Sequence, residues 1–158
     1  RYNTRGHILF KEVFKMKKAL THIHLLLERE DFNFIAKTIV DYYKSKVPSG
    51  IKIRTTSYKD NTLKGDYNVD RNIIQIRTDY NKVSDFAISV LHEIKHAMDA
   101  KSYKGKHGRG PKGYKESYQM EMNRQIALGK HHYNDNRYEI GAEKWAVKEY
   151  NKFWKNKL

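Results

Sequence analysis

The amino-acid sequence predicts an α+β domain, in which helical segments flank a short run of β-strands. Hydrophobic residues make up 39% of the chain and aromatic residues 13%, which is enough to build a core and argues against global disorder. Apolar residues recur at helical spacing near both ends and alternate with polar residues between them. A length of 158 residues suits one domain with a helical extension.

Two helices are predicted at the start of the sequence. The first covers residues 7–28, where apolar side chains fall near helical spacing. The second covers residues 31–46, with Asp31 as its N-cap, and a proline and a glycine follow it. We therefore predict an N-terminal helical extension over residues 1–48 and a main domain over residues 49–158.

Strands are predicted in the middle of the chain. Residues 51–58 alternate between apolar and polar, and residues 67–78 indicate either two strand pieces around a tight turn at residues 70–72 or one bent strand. A strong helical pattern follows at residues 84–101, with Ser84 as a candidate N-cap. The buried stripe of this helix is predicted to contain Ala87, Val90, Leu91, Ile94 and Met98.

The segment of residues 101–115 carries six cations, four glycines and no acid, so it is predicted to be a mobile loop. It contains a Gly-x-Gly-x-x-Gly sequence, but a dinucleotide site needs that sequence after a strand, and here it follows a helix. Helices are predicted again at about residues 115–128 and 137–156. The inner face of the last helix is predicted to contain Tyr138, Ala142, Trp145, Ala146, Tyr150 and Phe153.

The helix at residues 84–101 carries a pattern typical of zinc chemistry. His92 and His96 are four residues apart, so both imidazoles lie on one helix face and can reach one cation. Neutral imidazole suits zinc. Glu93 lies about 100° around the helix from His92, where it can take a proton from an activated water. The competing interpretation is a helix with two unrelated histidines.

A catalytic zinc site usually has three protein ligands and one open position. The candidates for the third ligand are His107, His131, His132, Glu139 and Glu143. Glu139 is favoured because it opens the last helix, whose small residues let that helix approach the first one closely. Glu143 is a candidate to orient a ligand or to face solvent. Tyr133, His131 and His132 are candidates to stabilise developing negative charge, or are ordinary loop residues.

Two motifs together resemble a known group of enzymes. They are His92-Glu93-x-x-His96 and Glu139-x-x-Ala142-Glu143-x-Trp145-Ala146. This pair resembles the gluzincin-type metallopeptidases, nearest the ImmA/IrrE-like group and related phage-encoded zincins. The resemblance covers about residues 50–150.

The resemblance implies a minimal zincin-like fold, in which a small twisted sheet packs on the metal helix and on a C-terminal helix that carries the glutamate. It implies Zn²⁺ held by His92, His96 and Glu139, with Glu93 as the general base for peptide-bond hydrolysis. The strand near residues 73–76 would be the edge that receives an extended protein or peptide substrate.

Two alternatives remain open. The His-Gly pair at His107 is similar to that of SprT-like DNA-associated proteases, and the net charge of +14 would suit nucleic acid as a partner. The chain could also be a catalytically silent zincin-fold protein with a structural or binding role, for instance in a phage particle.

The composition also bounds the cellular setting. There is no cysteine, so disulfides and cysteine-based zinc sites are excluded. No apolar run approaches the roughly 18 residues that a membrane span needs. We therefore expect no membrane span, and the resemblance implies a protein of the cytoplasm of a bacterial or phage-infected cell, or of a virion.

Overall fold

The computed structural model describes residues 15–16, 32–56 and 65–158. The chain divides into two compact units, residues 1–34 and residues 35–158. Most of the helix predicted at residues 7–28 lies outside the described residues, although residues 15–16 are helical. The division of the chain at residue 48 stays a prediction.

Helix α1 covers residues 32–42 and confirms the main part of the helix predicted at residues 31–46. The candidate N-cap Asp31 lies outside the described residues. Ile35, Ala36 and Ile39 are buried on one face of α1, whereas Phe34 and Tyr42 are exposed.

Three strands form a mixed sheet in the order β1-β3-β2. They are β1 (Lys52–Thr56), β2 (Gly65–Asn68) and β3 (Ile73–Arg77). β1 is parallel to β3, and β2 is antiparallel to it. The predicted break between two strand pieces is confirmed, because the chain turns between β2 and β3, with Asn72 at a φ of 52°.

One expectation about this sheet is wrong. The strand at residues 73–76 is not an edge, because β3 lies between β1 and β2 and forms hydrogen bonds with both. Sequence periodicity gives strand positions but not strand order, so the parallel pairing with β1 was not foreseen. Among the described strands, β1 and β2 are the edges.

Helix α2 (Val83–Ser102) confirms the helix predicted at residues 84–101 and packs against the sheet. Its buried apolar side chains meet Ile74 and Ile76 of β3, which are fully buried. The N-cap is Lys82, which provides no side-chain cap, so Ser84 does not cap the helix. The buried apolar residues of α2 are Phe86, Ala87, Val90, Leu91, Ile94, Ala97 and Ala100.

The segment of residues 101–115 is not a loop, which corrects the prediction. It forms a hairpin of β4 (Lys104–Gly105) and β5 (Gly108–Arg109), followed by the start of α3 (Gly110–Ala127). Gly108 and Gly110 have φ angles of 112° and 74°, a region that favours glycine. The glycines therefore build a tight turn into a helix, whereas their number had suggested an irregular segment.

Helix α4 (Arg137–Glu149) continues into a π-helical segment (Tyr150–Trp154), which confirms the last predicted helix. Asn136 caps α4, with its side-chain oxygen accepting a hydrogen bond from the backbone N–H of Tyr138. Ala142 and Ala146 are fully buried and allow α4 to lie close to α2. No helix in the described part of the chain has the length and apolar character needed to cross a membrane.

Candidate metal centre

Three buried side chains from α2 and α4 meet at one point. The Nε2 atoms of His92 and His96 lie 3.1 Å apart. The Oε2 atom of Glu139 lies 2.7 Å from His92 Nε2 and 3.1 Å from His96 Nε2. Each of the three side chains is at most 10% exposed. His92, His96 and Glu139 therefore lie close enough together to bind a metal ion.

The spacing of these atoms fits a small cation. A tetrahedral zinc site with bonds of about 2.0–2.1 Å places neighbouring donor atoms about 3.3 Å apart. The three donor atoms form a triangle with edges of 3.1, 2.7 and 3.1 Å, close to one face of such a tetrahedron. The side chains present thus fit a metal with two nitrogen ligands and one oxygen ligand.

The other ring nitrogen of each histidine has its own partner. His92 Nδ1 lies 2.9 Å from Oε2 of Glu143, and His96 Nδ1 lies 2.8 Å from the hydroxyl of Tyr114. A carboxylate accepts the Nδ1–H of His92, which leaves the Nε2 lone pair for a metal. Glu143 therefore orients a candidate ligand, which is one of the two roles predicted for it.

Glu139 is held by a second hydrogen bond from α3. The hydroxyl of Tyr118 donates to Oε1 of Glu139 at 2.6 Å. Oε2 lies 2.7 Å from His92 Nε2, and both carboxylate oxygens lie 3.1 Å from His96 Nε2. Burial alone would raise the pKa of Glu139, but hydrogen bonds from the two histidines and from Tyr118 hold it well below its usual range. The carboxylate is therefore ionised and carries the negative charge of the centre.

The negative charge of Glu139 acts on the neighbouring imidazole of His92. Burial lowers the pKa of His92, but the hydrogen bond to Glu139 and the charges of Glu93 and Glu139 outweigh it and raise the pKa to about 9. The same surroundings that hold a proton on an imidazole also favour a metal cation in its place.

Glu93 lies beside the three candidate ligands without joining them. It is 6% exposed, and among the described residues it accepts no hydrogen bond. Burial raises its pKa to about 7, although His96 and His92 lower it. A carboxyl group with these properties is poised to exchange a proton near neutral pH.

Two open clefts meet at this centre. One has a volume of about 770 Å³ and is lined by His92 and Glu93. The other has a volume of about 410 Å³ and is lined by Glu93, His96 and Glu139. Gly65 of β2 borders both, and a Cβ atom there would lie 3.3 Å from Cγ of Glu93. The edge strand β2 therefore passes directly over Glu93.

The remaining predicted candidates lie elsewhere or at the rim. His107 is in the turn of the β4–β5 hairpin, 3.8 Å from Glu116, and is not part of the three-residue cluster. His132 and Tyr133 line both clefts, and His131 lines the larger one. Burial and then the charges of Glu139 and Glu93 raise the pKa of Tyr133, so its hydroxyl stays protonated.

Helix α3 also contacts the centre, which was not predicted from the sequence. Tyr114 and Tyr118, on consecutive turns, touch His96 and Glu139 respectively. Polar and aromatic side chains recur at helical spacing in α3, and this pattern indicates a buried helix face, although no apolar stripe accompanies it. The inward side chains of this set are Tyr114, Ser117, Tyr118, Glu121 and Gln125.

Comparison of the chain with protein-family models, with curated proteins and with solved structures finds no match.

Proposed function

We propose that the protein is a zinc-dependent metallopeptidase that hydrolyses peptide bonds in a protein or peptide substrate. The observation that carries the proposal is the buried triangle of His92, His96 and Glu139 at the junction of two open clefts, with an unpartnered Glu93 beside it. A purely structural metal site has no need of such access or of an adjacent free carboxyl group. A minimal zincin-like arrangement of sheet, metal helix and glutamate-bearing helix accounts for both features.

Zinc is the proposed metal because of the donor set. Two neutral imidazoles and one carboxylate are a known ligand set for catalytic zinc, which keeps one further position open. When bound, zinc makes water more acidic and polarises a carbonyl group. Glu143 and Tyr114 fix the two imidazole rings, and Tyr118 fixes the carboxylate, so the three ligands are held before any metal arrives.

Glu93 is the proposed general base. Its carboxylate accepts a proton from the attacking water and later passes it to the leaving amine nitrogen. A pKa of about 7 suits both transfers, because the group gains and loses a proton readily at neutral pH. Tyr133 borders both clefts and stays protonated, so its hydroxyl is the proposed donor to the oxygen that becomes negative.

The edge strand β2 is the proposed substrate platform. Among the described strands it pairs only with β3, and we propose that its other side binds an extended peptide by strand addition. Gly65 carries no side chain, and a Cβ atom there would lie 2.6 Å from Cδ1 of Ile76 and 3.3 Å from Cγ of Glu93, so the glycine lets β2 lie close to the proposed base.

The test combines metal content with hydrolysis. We expect one zinc per chain after metal-supplemented expression, and cleavage of a mixed peptide library that a chelator abolishes. Glu93→Gln should keep the zinc and lose cleavage, because it removes the base and no ligand. His107→Ala is the matched control and should keep both zinc and cleavage.

Two outcomes would replace this proposal. Absence of stoichiometric metal would leave the cluster as a hydrogen-bonded core feature. Bound zinc without cleavage of any peptide would favour a catalytically silent binding or structural protein.

A nucleic-acid-associated protease is the second candidate, and the β4–β5 hairpin favours it. Lys104, Lys106 and Arg109 of the hairpin, and Lys112 in the first turn of α3, have no acidic partner among the described residues. Such cations suit a polyanion. Binding of DNA or RNA that weakens steeply with salt, and that a quadruple alanine variant of these residues loses, would support it.

A further inference from the structure

The charges of the protein are segregated between the clefts and the remaining surface. Cations outnumber acids 32 to 18 in the chain, yet the described residues that line the two clefts include six acids and a single cation. The acids are Asp66, Asp70, Asp85, Glu93, Glu139 and Glu143. The cation is Lys115.

The one cation does not offset the flanking acids. Lys115 forms an ion pair with Asp70 at 2.6 Å, so these two charges cancel. Asp66 and Asp85 form no ion pair among the described residues. Glu143 binds the ring nitrogen of His92, and its side chain is 59% exposed to the larger cleft.

A bound metal ion would neutralise the negative charge of the candidate metal centre, but not that of the other carboxylates that line the clefts. Two positive charges against the ionised Glu139 and Glu93 leave the centre near neutral when both imidazoles are uncharged. Among the described residues, Asp66 on one side and Asp85 and Glu143 on the other then contribute a negative potential to both clefts. Low-dielectric walls focus such a field inside a cleft.

We propose that the substrate is a basic polypeptide segment, with lysine or arginine side chains on both sides of the bond that is cut. This inference rests on the proposed peptidase function and adds the chemical class of its substrate. The unpartnered, buried Glu93 aimed into both clefts marks where the substrate backbone lies, and Asp66 and Asp85 are the specificity-determining residues.

The two carboxylates differ in their distance from the centre. Asp66 follows Gly65 on β2 and interacts electrostatically with His96 and Glu139, so it faces a residue next to the cleaved bond. Asp85 is seven residues before His92 on α2, about 10 Å along the helix. An extended peptide rises about 3.3 Å per residue, so Asp85 meets a side chain about three residues away.

The net charge of the whole chain does not prevent this preference. A charge of +14 repels a basic peptide at long range, but salt screens charges beyond about 8 Å at physiological ionic strength. The cleft carboxylates act within that distance, because the peptide lies between them. A polyanion would meet the same carboxylates and is therefore excluded from the clefts, whatever it binds elsewhere.

The test uses three peptides of equal length with one central sequence and with flanking residues of lysine, glutamine or glutamate. We expect kcat/KM to fall in that order. Binding of labelled versions to the zinc-loaded Glu93→Gln variant should follow the same order, which separates recognition from hydrolysis.

Single substitutions then show which carboxylate produces the preference for the lysine peptide. Asp66→Asn and Asp85→Asn should each reduce the preference for the lysine peptide over the glutamine peptide, measured as the ratio of their kcat/KM values, about two- to fivefold, the range for single exposed charge pairs. Asp85→Lys should favour glutamate at the distal position. Asp41→Asn, on the exposed face of α1 and outside both clefts, is the matched control.

The outcomes are distinct. Equal cleavage and equal binding of the lysine and glutamate peptides would overturn the inference while the peptidase function stands. Absence of cleavage together with binding that depends on Asp66 and Asp85 would keep the basic-segment preference and refute the peptidase function. Displacement of the lysine peptide by an oligonucleotide in the Glu93→Gln variant would also overturn the inference.

Discussion

Helices α3 and α4 both pack on the metal helix α2, and both touch the candidate metal centre, but they do so with different kinds of residue. α4 contributes Glu139 as a candidate ligand and Glu143 as the partner of His92, and it buries two alanines. α3 contributes only hydroxyl groups, from Tyr114 and Tyr118, and its inward face is largely polar. α4 supplies one candidate ligand, and α3 supplies hydroxyl groups that contact two of the candidate ligands.

The difference explains why one helix is visible in the sequence and the other is not. In α4, small residues recur at helical spacing beside two glutamates. This pattern indicates that the helix packs closely on another helix and brings carboxylates to that contact. Tyrosines and a glutamine at the same spacing have no strong apolar moment, and the glycine-rich start of α3 suggests a loop. A buried polar face is recognised only when its partners are known, and those partners lie on α2 and α4.

The largest effect should come from the ligand on α4. Glu139→Ala removes one of three donor atoms and the charge that offsets the cation, so zinc affinity should fall more than about 100-fold, beyond the range for residues that only support ligands. Metal titration against a competing chelator measures this change.

His107→Ala is the control for that experiment, because His107 lies in the hairpin turn and outside the cluster. Its zinc affinity should equal that of the wild type. If His107→Ala empties the site while Glu139→Ala leaves it filled, α4 does not hold the metal and the assignment of the two helices fails.

The next largest effect should come from Glu143, which acts through His92. Glu143→Ala removes the acceptor of the Nδ1–H, so the ring loses its fixed orientation and part of its basicity. Zinc affinity should fall about 10- to 100-fold, the range for partners of metal-bound histidines. Glu143→Gln should recover part of this loss, since the amide oxygen still accepts the hydrogen bond; equal loss in both variants would mean that charge alone matters.

A smaller effect is expected from the tyrosines of α3. Tyr118→Phe and Tyr114→Phe each remove one hydroxyl that contacts a candidate ligand, and each should reduce zinc affinity about tenfold, at the low end of the same range. The double variant should lose more than either alone. Unchanged affinity in the double variant would show that α3 has no part in holding the ligands.

The elements of the fold were largely readable from the sequence, whereas their arrangement was not. The periodicity of α2, the alternation in β1 and the turn between β2 and β3 are local properties, and the structure confirms them. The order of the strands depends on which segments meet after folding, so the central position of β3 was missed. The same holds for the hairpin, whose glycines act through their conformation and through the space they leave for Tyr103.

The residues of the candidate site also divide into those that the sequence predicts and those that it does not. His92, Glu93 and His96 could be identified from spacing on one helix, and Glu139 from the small residues that follow it. The helical spacing of Tyr114 and Tyr118 indicates an inward face, but it does not say that a histidine and a carboxylate lie opposite. The acidic lining of the clefts was hidden for a related reason, because the carboxylates come from β2, α2 and α4.

The smallest expected effect compares one glycine from each helix. Gly110, at the first position of α3, has a φ of 74°, so Gly110→Ala should destabilise the fold by roughly 1–2 kcal/mol. Gly141 lies within α4, and a Cβ atom there meets nothing within 4 Å, so Gly141→Ala should stabilise it by roughly 0.5–1 kcal/mol. Denaturant unfolding of the zinc-loaded protein measures both changes, and zinc affinity should stay constant because neither residue touches a ligand. Stabilisation by Gly110→Ala would show that the glycine-rich segment does not hold this conformation in solution, and that α3 begins further along the chain.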